Sequence, residues 1–120
     1  MHQNFNNNDI LAVGGLKMIL DLKQIDKETA DRIELLIKSW IRQQLNDYRQ
    51  YIITGGQNTL YPGFVRGLRV SALYLEDQDL QKEVSKFLDE PNIKNLEDII
   101  RKLDESIAKK QLDKLLKKNK

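Results

Sequence analysis

The sequence predicts an all-α protein: a compact irregular bundle of about five helices. Three observations indicate this class. Apolar residues recur at intervals of three and four over most of the chain, which is the spacing of one helix face. Short polar residues and prolines stand where those helices would begin or end. The chain has 120 residues, 40% of them apolar, which suits one domain with its own core.

The first helix follows an N-terminal arm of eight polar or uncharged residues, which we expect to be flexible. Asn8 or Asp9 is the predicted N-cap, because a short oxygen-bearing side chain accepts hydrogen bonds from free backbone N–H groups. Gly14 and Gly15 then interrupt the helical pattern. A helical glycine costs about 1 kcal/mol relative to alanine, so the pair predicts a kink, a break or close approach of another helix.

The strongest helical pattern follows Asp26 and covers 27–53. Lys38, Arg42 and Arg49 belong to its predicted polar face. A helix of roughly 26 residues is about 40 Å long, so we expect this one to be the spine of the fold. Its predicted apolar face consists of Ile33, Leu36, Ile37, Trp40, Ile41, Leu45, Tyr48 and Ile52.

A loop containing glycine and proline is predicted at about 54–61. Gly55 and Gly56 end the spine helix, and Pro62 suits the first turn of the next, where its missing N–H is not needed. Gly67, inside that third helix, predicts close packing against a neighbour. The loop lacks the strand, the lysine and the spacing of a phosphate-binding loop, so we interpret it as a hinge.

Two further helices complete the predicted bundle. Asp77 is the predicted N-cap of the fourth, and Pro91 ends it because a proline ring cannot continue a helix. Asn95 is the predicted N-cap of the fifth. A short coiled-coil seam and packing against the spine helix explain the apolar stripe of this last helix equally well. That stripe runs through Leu96, Ile100, Leu103 and Ile107, then changes phase to Leu112, Leu115 and Leu116.

Charge is segregated along the chain. The net charge is +2, yet 109–120 contains six lysines against Asp113 alone, a local charge of +5. An acidic block follows the third helix, between Glu76 and Glu90. The predicted organisation is a flexible polar arm at 1–8 and a single helical domain at 9–120, which ends in this lysine-rich helix.

The sequence predicts that the protein is not an enzyme. It has no cysteine, and its only histidine is His2, in the predicted arm. A nucleophile activated by histidine therefore has no credible base, and zinc lacks its usual ligands. The carboxylate pairs, Asp77 with Asp79 and Asp89 with Glu90, fall at helix starts and ends, where carboxylates act structurally. We expect no catalytic residue, no cofactor, no metal and no small-molecule substrate.

Aromatic and arginine side chains flank the predicted loop, and these residue types favour protein-interaction hot spots. The predicted partner-binding residues are Arg42, Arg49, Tyr61, Arg66 and Arg69. Solvated edges are the alternative for the arginines, and the core is the alternative for Trp40, Tyr48 and Phe64.

The lysine-rich end has three readings. Its side chains could contact the phosphates of a nucleic acid, lie on an anionic membrane surface, or form a solvated helix end where cations favour the helix dipole. The candidate phosphate contacts are Lys109, Lys110, Lys114, Lys117 and Lys118.

These patterns together predict a small non-enzymatic assembly or adaptor protein that acts through protein–protein contacts, self-association among them. A nucleic-acid-binding accessory protein that uses the arginine and lysine patches is the alternative. The start of the chain has no signal-peptide pattern, and no apolar stretch is long enough to span a bilayer, so a cytoplasmic location is expected, with a virion as the alternative. Abundant Asn, Ile and Lys suit an AT-rich genome, such as that of a low-GC bacterium or its phage.

Overall fold

Five α-helices and no strands make up the part of the chain that the computed structural model describes, residues 5–57 and 60–118, with Lys118 described by its backbone alone. The predicted all-α class is therefore confirmed. His2 and residues 58 and 59 of the predicted loop lie outside the described residues. The helices are α1 (Asn7–Leu22), α2 (Lys27–Ile53), α3 (Pro62–Leu75), α4 (Gln78–Asp89) and α5 (Ile93–Lys118).

Helices α2 to α5 form an up-down-up-down four-helix bundle. Each packs on the next in sequence, and α5 closes the ring by packing on α2. Two ion pairs, Arg42–Asp104 and Arg49–Glu97, join α2 to α5 and show that these helices run antiparallel. Within the described residues α1 lies outside the ring and packs on α3 alone.

The hydrophobic core lies between the second half of α2 and the first half of α5. At its centre, Tyr48 stacks on Phe64 with 5.1 Å between ring centroids, and it meets Phe87 edge-on at 6.2 Å. These aromatic contacts join α2, α3 and α4. The largest fully buried side chains are Phe87, Leu45, Leu68, Leu96, Ile99, Leu103 and Val84.

Two of the bundle helices are too short to cover the other two. α3 and α4 have 14 and 12 residues, or about 21 and 18 Å, whereas α2 and α5 have 27 and 26 residues and are about 40 Å long. Residues 27–35 of α2 and 107–118 of α5 therefore project as a pair, which we call the two-helix extension. The radius of gyration, 15.5 Å, accordingly exceeds the value of about 14 Å for a compact chain of this length.

The Gly55-Gly56 pair ends α2 as predicted, through a Schellman motif. Gly55 has a φ of 98°, a left-handed conformation that glycine adopts without steric cost. Its N–H donates to the carbonyl of Ile52 at 3.1 Å, and the N–H of Gly56 donates to the carbonyl of Tyr51 at 2.8 Å. The predicted start of α3 at Pro62 is also confirmed.

The predicted start of α1 is wrong by two residues. Asn6, rather than Asn8 or Asp9, is the N-cap, and its side-chain oxygen accepts a hydrogen bond from the N–H of Asp9 at 2.9 Å. Asp9 is instead buried against α3. Phe5, just before the cap, is 6% exposed and belongs to the core, and this apolar anchor fixes where the chain enters the helix.

The N-cap of α5 also differs from the prediction. Asn92 accepts a hydrogen bond from the N–H of Asn95 at 2.8 Å, so the helix begins at Ile93. Asn95 lies in the first turn, is 3% exposed, and donates from its side-chain amide to the carbonyl of Glu90 at 2.8 Å. Both asparagines thus tie the α4–α5 corner, which leaves the backbone just after Pro91 little freedom.

Gly14 and Gly15 do not interrupt α1. The helix is continuous from Asn7 to Leu22, and a Cβ built on either glycine has no other atom within 4 Å. The predicted break and the predicted close approach of another helix are therefore wrong within the described residues. Both glycines are exposed, so their cost to the helix is not offset by any described contact.

Replacing Gly15 with alanine should stabilise the protein. The position is helical and open, so the added methyl group meets nothing while it restricts the unfolded chain, and we expect a gain of about 0.5–1 kcal/mol. Urea unfolding monitored by circular dichroism measures the gain. Gly55→Ala is the contrasting variant, since alanine is strained at φ 98°, and it should destabilise. A loss of stability in Gly15→Ala would contradict this description of α1.

The apolar face of α2 differs from the prediction in its first half. Leu36 is 69% and Trp40 52% exposed, although both were expected to face inward, whereas Lys38, expected on the polar face, is buried. The ring of Trp40 packs on Gly67, where a Cβ would lie only 3.2 Å from it. The close packing predicted at Gly67 is thus confirmed, and Trp40 covers α3 from the rim of the bundle.

Candidate protein interface

Two of the predicted partner-binding arginines form ion pairs between helices of the bundle. Arg42 pairs with Asp104, and Arg49 pairs with Glu97 at 3.3 Å, so both link α2 to α5. The hydrogen bond with Asp104 is the main cause that raises the pKa of the Arg42 guanidinium. Both arginines remain partly exposed, and their positive charge is locally matched by these carboxylates.

Arg69 lies on a different side of the molecule. Its Nε donates to Asp9 Oδ2 at 2.7 Å, and the Asp9 side chain is only 3% exposed. This ion pair joins α3 to α1, which does not touch α2 or α5 in the described residues. The structure therefore does not bring Arg69 together with Arg42 and Arg49 on one surface.

Tyr61 and Arg66 are the two predicted residues that stay on the surface. Tyr61 is 61% exposed, and its ring lies 6.1 Å from that of Phe64. Arg66 is exposed and forms no ion pair with any described residue. The aromatic alternatives divide: Tyr48 and Phe64 are core residues, whereas Trp40 is half-exposed.

The candidate phosphate-binding lysines differ in whether they form ion pairs. Lys110 pairs with Glu34 at 2.9 Å and with Asp31 at 3.2 Å, and these contacts, the hydrogen bond to Glu34 first, raise its pKa. Three others, Lys109, Lys114 and Lys117, are exposed and form no ion pair among the residues described. The side chain of Lys118 lies outside the described part.

The last turns of α5 turn their lysines toward α2 and their leucines toward solvent. Lys110, Lys114 and Lys117 line a groove against α2, together with Ile107. The three leucines of the predicted stripe lie on the opposite face of the helix, because of the change of phase that the sequence shows. We call them the outer leucines: Leu112 (56% exposed), Leu115 (58%) and Leu116 (54%).

Helix α1 carries a second apolar face without a cover. Only Asp9 and Val13 are buried in this helix, where they face α3. Residues at intervals of four, three and four run along its outer side without any charge. These residues are Leu11 (72% exposed), Gly15, Met18 (64%) and Leu22 (77%), with Ile19 (52%) beside them.

The groove in the two-helix extension is the feature that sequence patterns missed. It has a volume of about 540 Å³ and lies between α2 and α5, with Leu35 and Ile107 among its walls. Lys38 lines it at the base of the extension and is 8% exposed. The prediction assigned Lys38 to the polar face because of its charge, although Lys38 stands three, seven and ten residues before Ile41, Leu45 and Tyr48, which is the spacing of the buried face.

No protein family, curated protein or solved structure matches the chain. The described helices include none that is long and apolar enough to cross a membrane. Within the same residues, no group of three His, Asp or Glu side chains is placed to hold a metal ion.

Asp77, at the start of the acidic block, accepts the N–H of Leu80 at 3.1 Å and caps α4 as predicted.

Proposed function

We propose that the protein is a non-enzymatic assembly or adaptor protein that acts through helical protein–protein contacts. The observation that carries this proposal is the pair of uncovered apolar helix faces, one on α1 and one formed by the outer leucines of α5. Exposed apolar patches mark interaction sites when their side chains lie next to one another, as they do at these helical spacings. Each face has the helical spacing that helix-to-helix docking uses.

The outer leucines are the sharper of the two supports. A helix end that only needs solvation would place lysine outside and leucine against α2, since that arrangement buries apolar surface. α5 does the reverse over its last turns: Lys110 and Lys114 face the groove and Leu112 and Leu116 face solvent. A partner that covers these leucines would explain why the isolated chain leaves them exposed.

Replacing Leu112, Leu115 and Leu116 together with glutamine should abolish self-association or partner capture and leave the fold intact. All three are more than half exposed, so their loss removes little core packing. Light scattering over a concentration series, with circular dichroism of the same samples, tests this. Lys109→Gln, an exposed position on the same helix, is the matched control. A wild type that is strictly monomeric and retains no partner would overturn the proposed function.

Nucleic-acid binding is the second candidate, favoured by Lys109, Lys114 and Lys117. These three are exposed and form no ion pair among the described residues. Against it, Arg42, Arg49 and Lys110 are matched by carboxylates of the same chain. A salt series on DNA and RNA decides, since phosphate-driven binding weakens steeply as salt rises. Absence of binding at low salt removes this candidate.

The composition suggests where such a protein would act. Its high content of Asn, Ile and Lys fits an AT-rich genome. We therefore propose a component of a bacterial or phage macromolecular complex, in the cytoplasm of a bacterium or an infected cell, or in a virion.

A further inference from the structure

Lys38 is a largely buried residue whose amine faces the groove and forms no ion pair with any described residue. The residue is 8% exposed, and its amine forms no hydrogen bond with the described residues either. Burial, and after it the charge of Lys110, lowers the pKa of Lys38, while Glu34, Asp77 and Asp31 act weakly in the other direction. A lysine whose aliphatic stem is buried and whose amine faces a cleft is placed to pair with an acidic group of a ligand.

The groove that Lys38 lines has apolar walls and a basic rim. Leu35 and Ile107 give it apolar walls, and its volume of about 540 Å³ lies in the range of ligand-binding clefts. Its lining carries a net charge of +3, from six basic side chains against three acidic ones. The basic residues are Lys27, Arg32, Lys38, Lys110, Lys114 and Lys117, and the acidic ones are Glu28, Asp31 and Asp113.

Internal pairing leaves the positive charges in excess. Arg32 pairs with Glu28 at 2.9 Å, and Lys110 pairs with Asp31 at 3.2 Å. Lys110 also pairs with Glu34 at 2.9 Å. Lys38 at the base and Lys27, Lys114 and Lys117 at the rim form no ion pair with any described residue, so the groove fits an occupant that combines apolar and acidic side chains.

The shape of the site selects a helix. In the four-helix section α3 and α4 cover α2 and α5, but in the two-helix extension nothing described replaces them. A helix laid along the groove would continue the bundle and meet the exposed walls with one apolar face. A nucleic acid would satisfy the lysines but would leave the apolar walls without a partner.

We infer that this groove binds an amphipathic acidic helix of a protein partner, with apolar side chains against Leu35 and Ile107 and one carboxylate on Lys38. The inference rests on the proposed function, because it names the chemistry of the partner which that function requires. The outer leucines lie on the opposite face of α5, so they are free to make a separate contact.

A pair of designed peptides tests the inference in the full chain. The first is a helical 18-residue peptide with leucine along one face and glutamate at the positions that flank this face, and the second has lysine in place of every glutamate. By fluorescence anisotropy, the glutamate peptide should bind, and the lysine peptide should not. Lys38→Met should weaken binding at least tenfold, and Lys114→Glu, at the exposed rim, should weaken it too. Lys94→Met, an exposed position outside the groove, is the control and should change nothing.

Thermal unfolding separates this role from a structural one. Lys38→Met puts an apolar side chain of similar length in place of a largely buried lysine that forms no ion pair with any described residue, so its unfolding midpoint should equal or exceed that of the wild type, although binding is lost. Equal binding of the glutamate peptide by wild type and Lys38→Met, or equal binding of both peptides, would overturn the inference. Binding of dodecanoate but not of the peptide would also overturn it, in favour of a small anionic amphiphile.

These outcomes are distinct from failure of the proposed function. If the glutamate peptide does not bind, yet partner capture persists and depends on the outer leucines, only the groove inference is wrong. If the peptide binds through Lys38 but no protein partner or self-association exists, the proposed function is wrong. The peptide experiment in the wild type and in Lys38→Met, run beside the outer-leucine variant, gives both answers.

Discussion

Replacing Arg69 with alanine should lower the free energy of unfolding by about 3 kcal/mol. Its partner, Asp9, has a side chain that is only 3% exposed, so removal of the guanidinium leaves a carboxylate buried without a counter-charge. Breaking a buried ion pair from one side costs about 3–5 kcal/mol, and the partial exposure of Arg69 places the expected value at the lower end. Because this pair joins α1 to α3, hydrogen exchange should accelerate most in α1.

Arg66→Ala is the matched control for this variant. Arg66 lies on the same helix, is exposed and pairs with no described residue, so its replacement should change stability by less than about 0.5 kcal/mol. Adding Asp9→Asn to Arg69→Ala should recover part of the loss, because a neutral amide needs no counter-charge. Urea unfolding of the four proteins decides the matter: equal stability of Arg66→Ala and Arg69→Ala would contradict the pairing.

Replacing Phe87 with alanine should cost about 4 kcal/mol, the range for removing a buried aromatic ring from a core. Phe87 is fully buried and meets the ring of Tyr48 edge-on, so both its burial and its aromatic contact are lost. A domain of this size has roughly 5–15 kcal/mol in total, so the variant should lose much of its resistance to urea.

Leu116→Ala is the contrasting variant, since Leu116 is 54% exposed. It should change stability by less than about 0.5 kcal/mol, because an exposed side chain loses little packing when it is shortened. The difference in unfolding free energy between Phe87→Ala and Leu116→Ala shows which of the two side chains belongs to the core. A loss of several kcal/mol in Leu116→Ala would show that the end of α5 is packed and would weaken the proposed interface.

Local sequence signals predicted the helices well. The bounds of α2, the end at Gly55 and the start at Pro62 depend on side chains within a few residues, so one chain is enough to find them. The caps of α1 and α5 were misplaced because several asparagines stand close together, and tertiary anchors such as Phe5 decide which one is used.

The candidate site depends on contacts between residues that are far apart in the sequence, and local patterns do not reveal such contacts. Arg42 and Asp104 are 62 residues apart, and nothing local to either shows that they pair. Lys38, by contrast, shares the spacing of the buried residues Ile41 and Leu45, and only its charge favoured the polar face. The change of phase at Leu112 is a signal that the sequence carries, since it moves the last leucines off the helix face that holds Leu103 and Ile107.

Affinity capture from the native host tests the central claim, action through protein contacts, most directly. Wild type and the variant with glutamine at Leu112, Leu115 and Leu116 are used as baits in parallel, each with and without nuclease, and retained proteins are quantified by mass spectrometry. We predict a specific protein, or the chain itself, that the wild type retains after nuclease treatment and the variant loses. Retention of the same proteins by both baits, or loss of all of them on nuclease treatment, would contradict the claim.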